Sequence, residues 1–446
     1  MDEGRARRAP VKKAPARKNA KWQQTIKHRS PKPNPYSQVS MFYKDPGPVS
    51  GGFVATLAIL IVFGLIVLFS ASYATGFYND GDSYAFIRPQ TLYAVMGSFI
   101  MWGVSRIDYR WLRQFSSVLY WFVLVLLVIV LFMPEHKGCR RWIDFAIIGL
   151  KHFPTIQVSE IAKFSLILFL AHWFDSRSDH IKRFGPGVLV PVACVLPILA
   201  LLFLEPHNSA MVLMICIMVS MMFAGGCSLV WFAVGAAGIG AAMGSIIVLR
   251  PGYVQERLQG WLDPFADMAG STLQTGQSLY TIGSGGLFGV GLGNSVQKHA
   301  WLPEAPNDFI FSILCEELGF VGALLCIILF GMLIFQGVQI ALKAPDRFGF
   351  LLVIGSIAQV GFQFLFNVGV VSNLLPNTGI SLPFFSAGGT SLLMLMAQMG
   401  VILSVSRAGN REQIQQNARK SAKRQQEREK ERRKTEAFLR RSGRQF

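Results

Sequence analysis

Polar residues set inside long apolar runs are where this chain can do chemistry. In Gln157-Val158-Ser159-Glu160-Ile161-Ala162-Lys163 an acid and a base stand three residues apart. On a helix that spacing puts Glu160 and Lys163 on one face, where they can pair. Charged groups at membrane depth are costly and mark functional sites by default. The pair reads either as a buried structural bridge or as a polar cavity wall that meets a charged substrate. A second set, Asp308, Ser312 and Glu316, follows i, i+4, i+8 in an otherwise apolar run. One helix face carrying all three should turn toward a cavity. A carboxylate at the rim of such a partly desolvated cavity suits a general base, because burial raises its pKa. The plainer reading of Asp308 is a helix N-cap, a position that Asn307 would fill equally well. Gln359, Gln363 and Asn367 repeat the spacing, and there interhelical hydrogen bonding is the stronger reading. Finally, Lys137, Arg140, Arg141 and Lys151 gather between 134 and 157. They are either tolerated charge, offset by Glu135 and Asp144, or a site for an anion.

The elements that must position these residues are long and apolar. Of 446 residues, 52% are apolar and 15% charged, whereas soluble domains average about 25% charged. A helix crosses a bilayer with about 20 mostly apolar residues. That ruler finds ten candidate runs: 52–72, 90–105, 116–133, 158–174, 187–204, 208–225, 229–249, 308–341, 348–371 and 388–407. The second and fourth are short or carry polar residues, so nine spans is the other possible count. The expected fold class is all-α: a polytopic integral membrane protein with about ten transmembrane helices.

Charge gives the orientation. Residues 1–50 and 406–446 each carry a net +9, and the stretch between them holds 17 basic and 17 acidic side chains. Further basic clusters (Arg106, Arg110, Arg113; Arg177, Lys182, Arg183; Lys343, Arg347) follow the second, fourth and eighth runs. Basic loops stay inside, so both termini are expected in the cytoplasm. The first run lacks a small-residue cleavage site, which argues against a cleaved signal peptide. Three regions follow: a basic, disordered cytoplasmic tail over 1–50, a membrane domain over 51–407 and a second basic tail over 408–446. Within the latter, 411–436 reads as disordered or as a solvated helix. The tails suit anionic membrane lipids, which contribute about 1 kcal/mol per basic residue near the surface. With no basic face on a folded domain, nucleic acid is not an expected partner.

Two segments break the apolar pattern. The extracytoplasmic loop 250–307 carries Gln274, Gln277 and a glycine cluster from Gly283 to Gly293. No strand precedes those glycines and no P-loop is present, which argues against an ATP-driven pump. They read as tight turns or re-entrant backbone shielded by protein. The segment Leu375 to Ser391, with two prolines and three glycines, reads as broken backbone beside a cavity. The cysteines form neither a metal motif nor a disulfide framework.

Together these segments resemble the SEDS family (shape, elongation, division and sporulation; FtsW-, RodA- and SpoVE-like proteins). The match runs from Ser70-Ala71-Ser72 to Ser406-Arg407. Its most specific parts are Arg141-Trp142-Ile143, Gln157 to Lys163, Gln277 to Gly322 and Pro376 to Ser391. The resemblance implies a multi-pass peptidoglycan glycosyltransferase of the bacterial cytoplasmic membrane. It would polymerise lipid II on the outer face, beside a class B penicillin-binding protein transpeptidase. By motif position Asp308 is the family's essential aspartate, Glu160 and Lys163 its Ser-Glu-x-x-Lys pair, and Arg141 its Arg-Trp position. Asp308 would then be the catalytic base. Substrate contacts would fall to Arg140, Arg141, Lys151, Glu160, Lys163, Gln277, Lys298, Ser312 and Glu316. The outer cations Arg140, Arg141, Lys151 and Lys298, with Arg250 and Arg257, would meet pyrophosphate. A divalent cation, Mg or Mn, is expected from family chemistry alone, since the sequence offers no distinct metal site. Ser406-Arg407 and the charged tails lean toward the division branch, most similar to FtsW. That lean implies a septal location and other division proteins as partners.

Departures are visible too. Val158 replaces a usual proline, Asn307 a threonine and Ala387 a tyrosine. Pro206-His207-Asn208-Ser209-Ala210 stands where the family carries Pro-Asp-x-Gly-Thr. That change removes an acid and puts any inherited role of 205–208 in doubt. A flippase or transporter of a polyprenyl-linked precursor is the competing function, because ten spans, broken helices and an intramembrane ion pair suit it as well. Transporters hold their key charges near the midplane, whereas Asp308 opens a span, which favours outer-face chemistry. A structural scaffold of a division complex would leave the polar stripes unexplained.

Overall fold

The computed structural model describes residues 40–43, 46–134, 140–144, 155–205, 207–233, 235, 261–268, 270 and 272–441. The first apolar run forms α1 (Gly51–Asp80), closed by Gly81 in the left-handed region with its N–H on the Phe77 carbonyl. Then come α2 (Ile87–Val104), a 3-10 turn over Tyr109–Phe115, and α3 (Ser116–Val130). A short antiparallel hairpin pairs β1 (Trp142–Ile143) with β2 (Ile156–Gln157) and leads into α4 (Val158–Ser176). A π-helical turn at Gly185–Leu189 opens α5 (Val190–Leu204), followed by α6 (Asn208–Ala224). The remaining helices are α7 (Leu273–Ser284), α8 (Ile310–Leu342), α9 (Arg347–Val371) and α10 (Gly389–Arg441).

Among the described residues, six segments are long and apolar enough to cross a membrane: Gly51–Asn79, Tyr109–Val130, Gly185–Leu204, Ile310–Leu342, Arg347–Val371 and Gly389–Glu436. Three more expected runs form shorter or more polar helices. α6 has 17 residues, while α2 is diluted by Arg88 and Gln90, and α4 by Glu160 and Lys163. The run 229–249 lies mostly outside the described residues.

Polarity is arranged inside out relative to a water-soluble protein. α3 turns Val118, Trp121, Phe122 and Val125 outward, whereas α4 and α9 bury Glu160, Lys163, Gln359, Gln363 and Asn367. An apolar exterior around a polar interior is the arrangement that lipid favours. Small residues allow the central helices to meet. A Cβ on Gly355 of α9 would lie 2.6 Å from Ile167 of α4 and 2.7 Å from Met221 of α6.

α8 is broken at Gly319, whose φ of 65° and ψ of −164° leave the helical region. The glycine run answers the break. Val290 and Gly291 donate their N–H groups to the Glu316 and Glu317 carbonyls, and Phe320 and Val321 donate to Gly286 and Leu287. Shielded, mutually bonded backbone of this kind is what membrane depth demands. Approach is close enough that a Cβ at Gly319 would sit 2.4 Å from the Gly289 nitrogen.

Tyr43, Gly47, Pro48 and Ser50 lie against the middle of α10 at one end of the bundle. Tyr43 donates its hydroxyl to the Ser404 carbonyl at 3.1 Å, Ser50 N–H donates to Ser406 Oγ at 3.0 Å, and Asn410 donates to the Pro48 carbonyl at 2.8 Å. Beyond them α10 runs on to Arg441 with residues 412–436 exposed. Of the two readings of 411–436 the solvated helix is therefore the one seen, with i, i+4 pairing such as Arg432–Glu436 at 3.1 Å. Of the disordered tail expected over 1–50, residues 1–39, 44 and 45 lie outside the described residues, while Tyr43, Pro48 and Ser50 are held against α10.

Candidate active site

A cavity of about 660 Å³ opens where α4, α6 and α10 begin and α9 nears its end. It lies some 15 residues of α10, or about 22 Å, from the end where Tyr43 and Ser50 pack. Its lining includes Arg141, Glu160, Lys163, His207, Glu304, Asp308 and Gln363.

Each reactive group is held by a separate device. The α4 pair is closed: Lys163 Nζ donates to Glu160 Oε1 at 2.7 Å, with the two residues 2% and 5% exposed. Glu160 Oε2 is buried without a protein partner, leaving one carboxylate oxygen for a ligand or water. Arg141 enters from the hairpin, where Trp142 pairs with Gln157 immediately before α4. Thr390 Oγ1 donates to the Thr155 carbonyl at 2.7 Å and ties that hairpin to the start of α10.

Asp308 sits in the turn before α8, half-buried at the cavity wall. Asn367 of α9 donates to the Asp308 carbonyl and to the Ile380 carbonyl, both at 2.7 Å. One buried amide thus pins the aspartate's backbone to the broken segment before α10. Ser386 Oγ donates to the Asn307 carbonyl at 2.6 Å, and Ala387 N–H donates to the Pro306 carbonyl at 3.0 Å. On the other side Asn307 donates to Glu304 Oε2 at 2.6 Å. Gly379, in the left-handed region, leaves room for the carboxylate, since a Cβ there would be 3.1 Å from Asp308 Oδ2. The backbone that carries the Asp308 side chain is therefore held by three hydrogen bonds, to its own carbonyl and those of its two predecessors.

The other expected residues lie elsewhere. The stripe Asp308, Ser312, Glu316 is not one helix face, because α8 begins only at Ile310. Ser312 Oγ meets Ser278 Oγ at 2.7 Å, and Ser278 in turn donates to the Val371 carbonyl. Glu316 accepts from Ser295 Oγ and, at 3.1 Å, from Val296 N–H. Lys298 is 1% exposed and paired with Glu317 at 2.7 Å, with Tyr73 beneath its ammonium. Ser70 Oγ donates to the same carboxylate. These side chains fasten the loop after α7 to α1 and α8 and do not line the cavity. Half-buried Gln277 on α7 does not line it either. Arg140 donates to the Leu131 carbonyl at 3.0 Å and is absent from the lining. Lys151, Arg250 and Arg257 lie outside the described residues. Sequence reasoning missed Glu304 and Glu317 and set His207 aside. Only the adjacency of Glu317 to Glu316 and the odd histidine at 207 were signals.

Lipid-type faces outside and a charged cavity within define a polytopic membrane protein whose reactive groups meet in an internal site. The chain belongs to the FtsW/RodA/SpoVE family, whose model, described as cell cycle protein, matches residues 52–411. It is 38% identical to stage V sporulation protein E of Bacillus subtilis over 353 residues, 78% of this chain and 94% of that one. A probable peptidoglycan glycosyltransferase FtsW of Geobacter metallireducens is 35% identical over 78% of this chain and 92% of its own. Among solved structures, a chain from work on the structural coordination of polymerization and crosslinking by a peptidoglycan synthase complex aligns with a TM-score of 0.68. It is 26% identical and covers 81% of this chain and 98% of that one. The rod shape determining protein RodA of Thermus thermophilus aligns at 0.59, also 26% identical, over 80% and 97%.

Among the described residues no group of three or more His, Cys, Asp or Glu is arranged to hold a metal ion. Among the described residues the divalent cation expected from the family finds no such ligand set.

Proposed function

We propose that this chain is a peptidoglycan glycosyltransferase that polymerises lipid II at the outer face of the bacterial cytoplasmic membrane. The observation that carries the reading is one cavity holding a framed carboxylate, Asp308, together with two cations, Arg141 and Lys163. With the basic tails in the cytoplasm, the cavity end is the outer end.

In this mechanism Asp308 takes the proton from the acceptor sugar hydroxyl. The freed oxygen attacks the donor's anomeric carbon, and the bond from that carbon to the pyrophosphate oxygen breaks. The electron pair leaves with the undecaprenyl pyrophosphate. Arg141 and Lys163 offset that charge, through pre-set charge-assisted hydrogen bonds that strengthen as it develops. Glu160 holds Lys163 in place. The polyprenyl tail stays in lipid along the apolar exterior.

The relatives named FtsW support a role in division, and the synthase complex among the structural neighbours supports a class B penicillin-binding protein as partner. A septal location and contacts with other division proteins belong to the same proposal. The basic ends are assigned to anionic lipids.

Arg141→Ala tests the pyrophosphate assignment. Hydrogen bonds to a charged group contribute about 1.5–3 kcal/mol, so lipid II binding to protein in nanodiscs should weaken about tenfold or more. Unchanged affinity would remove Arg141 from the subsite.

A further inference from the structure

His207 is a cavity residue that the mechanism above leaves unused. It precedes the first turn of α6, is 7% exposed, borders the cavity and has a buried Nδ1 without a partner. A buried ring nitrogen left unpaired costs free energy unless a ligand or water meets it. The charges around it are known. Arg141 from the hairpin and Lys163 from α4 both act on the ring. Glu160 is committed to Lys163, Asp308 and Glu304 lie on the wall before α8, and α9 offers only neutral Gln363. Glu205, at the end of α5, is buried, with burial lifting its carboxyl to about 8 against the pull of Arg141.

We propose that His207 takes up a proton when a diphosphate enters the cavity, and so becomes a third cation of that subsite. The inference rests on the reading that a diphosphate binds beside Arg141 and Lys163. Burial, Arg141 and Lys163 hold the empty-site imidazole down to about 3, so it is neutral near pH 7. A third permanent cation beside two others in a desolvated pocket would be repelled. A diphosphate esterified at both ends brings two negative charges that do not titrate near neutrality. Their arrival cancels the repulsion that kept the proton off, and the unpartnered nitrogen gains an acceptor.

Linkage fixes the sign. A group whose pKa rises on binding makes binding tighter as pH falls through the bound-state pKa. The test is calorimetric titration of a short-tailed lipid II analogue into the full-length protein in nanodiscs, at pH 8, 7, 6 and 5.5. Buffers of different ionisation enthalpy report the protons taken up. Wild type should take up a fraction of a proton that grows toward about one as pH falls, with affinity rising up to about tenfold per pH unit. His207→Asn should lose the uptake and flatten the pH dependence, its melting temperature serving as the folding control. Glu205→Gln should retain both. Binding with no uptake in wild type overturns the proposal, independently of any variant's folding. Uptake that survives His207→Asn, or that vanishes in Glu205→Gln, overturns it too. Failure of wild type to bind the analogue at any pH would instead bring down the diphosphate reading of the cavity.

Discussion

Asp308→Asn should abolish glycan polymerisation while leaving the protein folded and able to bind lipid II. Asn has nearly the shape of Asp, and the hydrogen bond that pins the site runs from Asn367 to the Asp308 backbone carbonyl. The frame from Pro306 to Ala387 therefore stays closed in the variant. What is lost is the oxygen proposed to accept the sugar hydroxyl's proton. A positioned general base contributes about 10²–10⁴-fold, so the residual rate should fall by that factor. Strand formation from fluorescent lipid II measures it, with binding and melting temperature recorded on the same preparation. A variant polymerising within a factor of a few of wild type would show that the base lies elsewhere.

Lys298→Ala should instead act on stability. The ammonium lies in a closed cluster with Glu317, Ser70 and Tyr73, and its removal strands a buried carboxylate. Breaking a buried pair by deleting one partner costs about 3–5 kcal/mol, which in detergent should appear as a large drop in melting temperature. Replacing both partners, as Lys298→Met with Glu317→Leu, should recover much of the loss, since apolar pairs of similar volume replace buried ion pairs well. If Lys298 were a pyrophosphate ligand, Lys298→Ala would weaken lipid II binding and leave the melting temperature unchanged.

These two residues also mark what sequence can and cannot reveal. Glu160 and Lys163 were legible because a charge pair at i, i+3 in an apolar run has few places to go except against each other. Asp308 and Arg141 were legible through motif position, and the structure brings all four to one cavity. Ser312 and Glu316 were misplaced because a stripe argument assumes an unbroken helix. α8 starts two residues after Asp308 and breaks at Gly319, facts set by backbone packing against the glycine run. Lys298 looked like a free outer cation because its partner Glu317 lies across a fold that no local pattern shows. Most of the apolar helices were read within a few residues, since apolar length is a strong signal, but α1 runs on to Asp80, α10 to Arg441, and α7 went unread inside the loop 250–307. His207 was set aside as a departure, and only its place on the same cavity wall as Arg141 and Lys163 gives it meaning.

On the proposed mechanism the cavity makes glycosidic bonds and does not move lipid across the bilayer. Purified protein with a class B penicillin-binding protein, its proposed partner, reconstituted into vesicles and given fluorescent lipid II, tests this. Glycan strands from wild type and none from Asp308→Asn is the predicted result. Lipid II crossing the vesicle bilayer with no polymer formed would contradict the account.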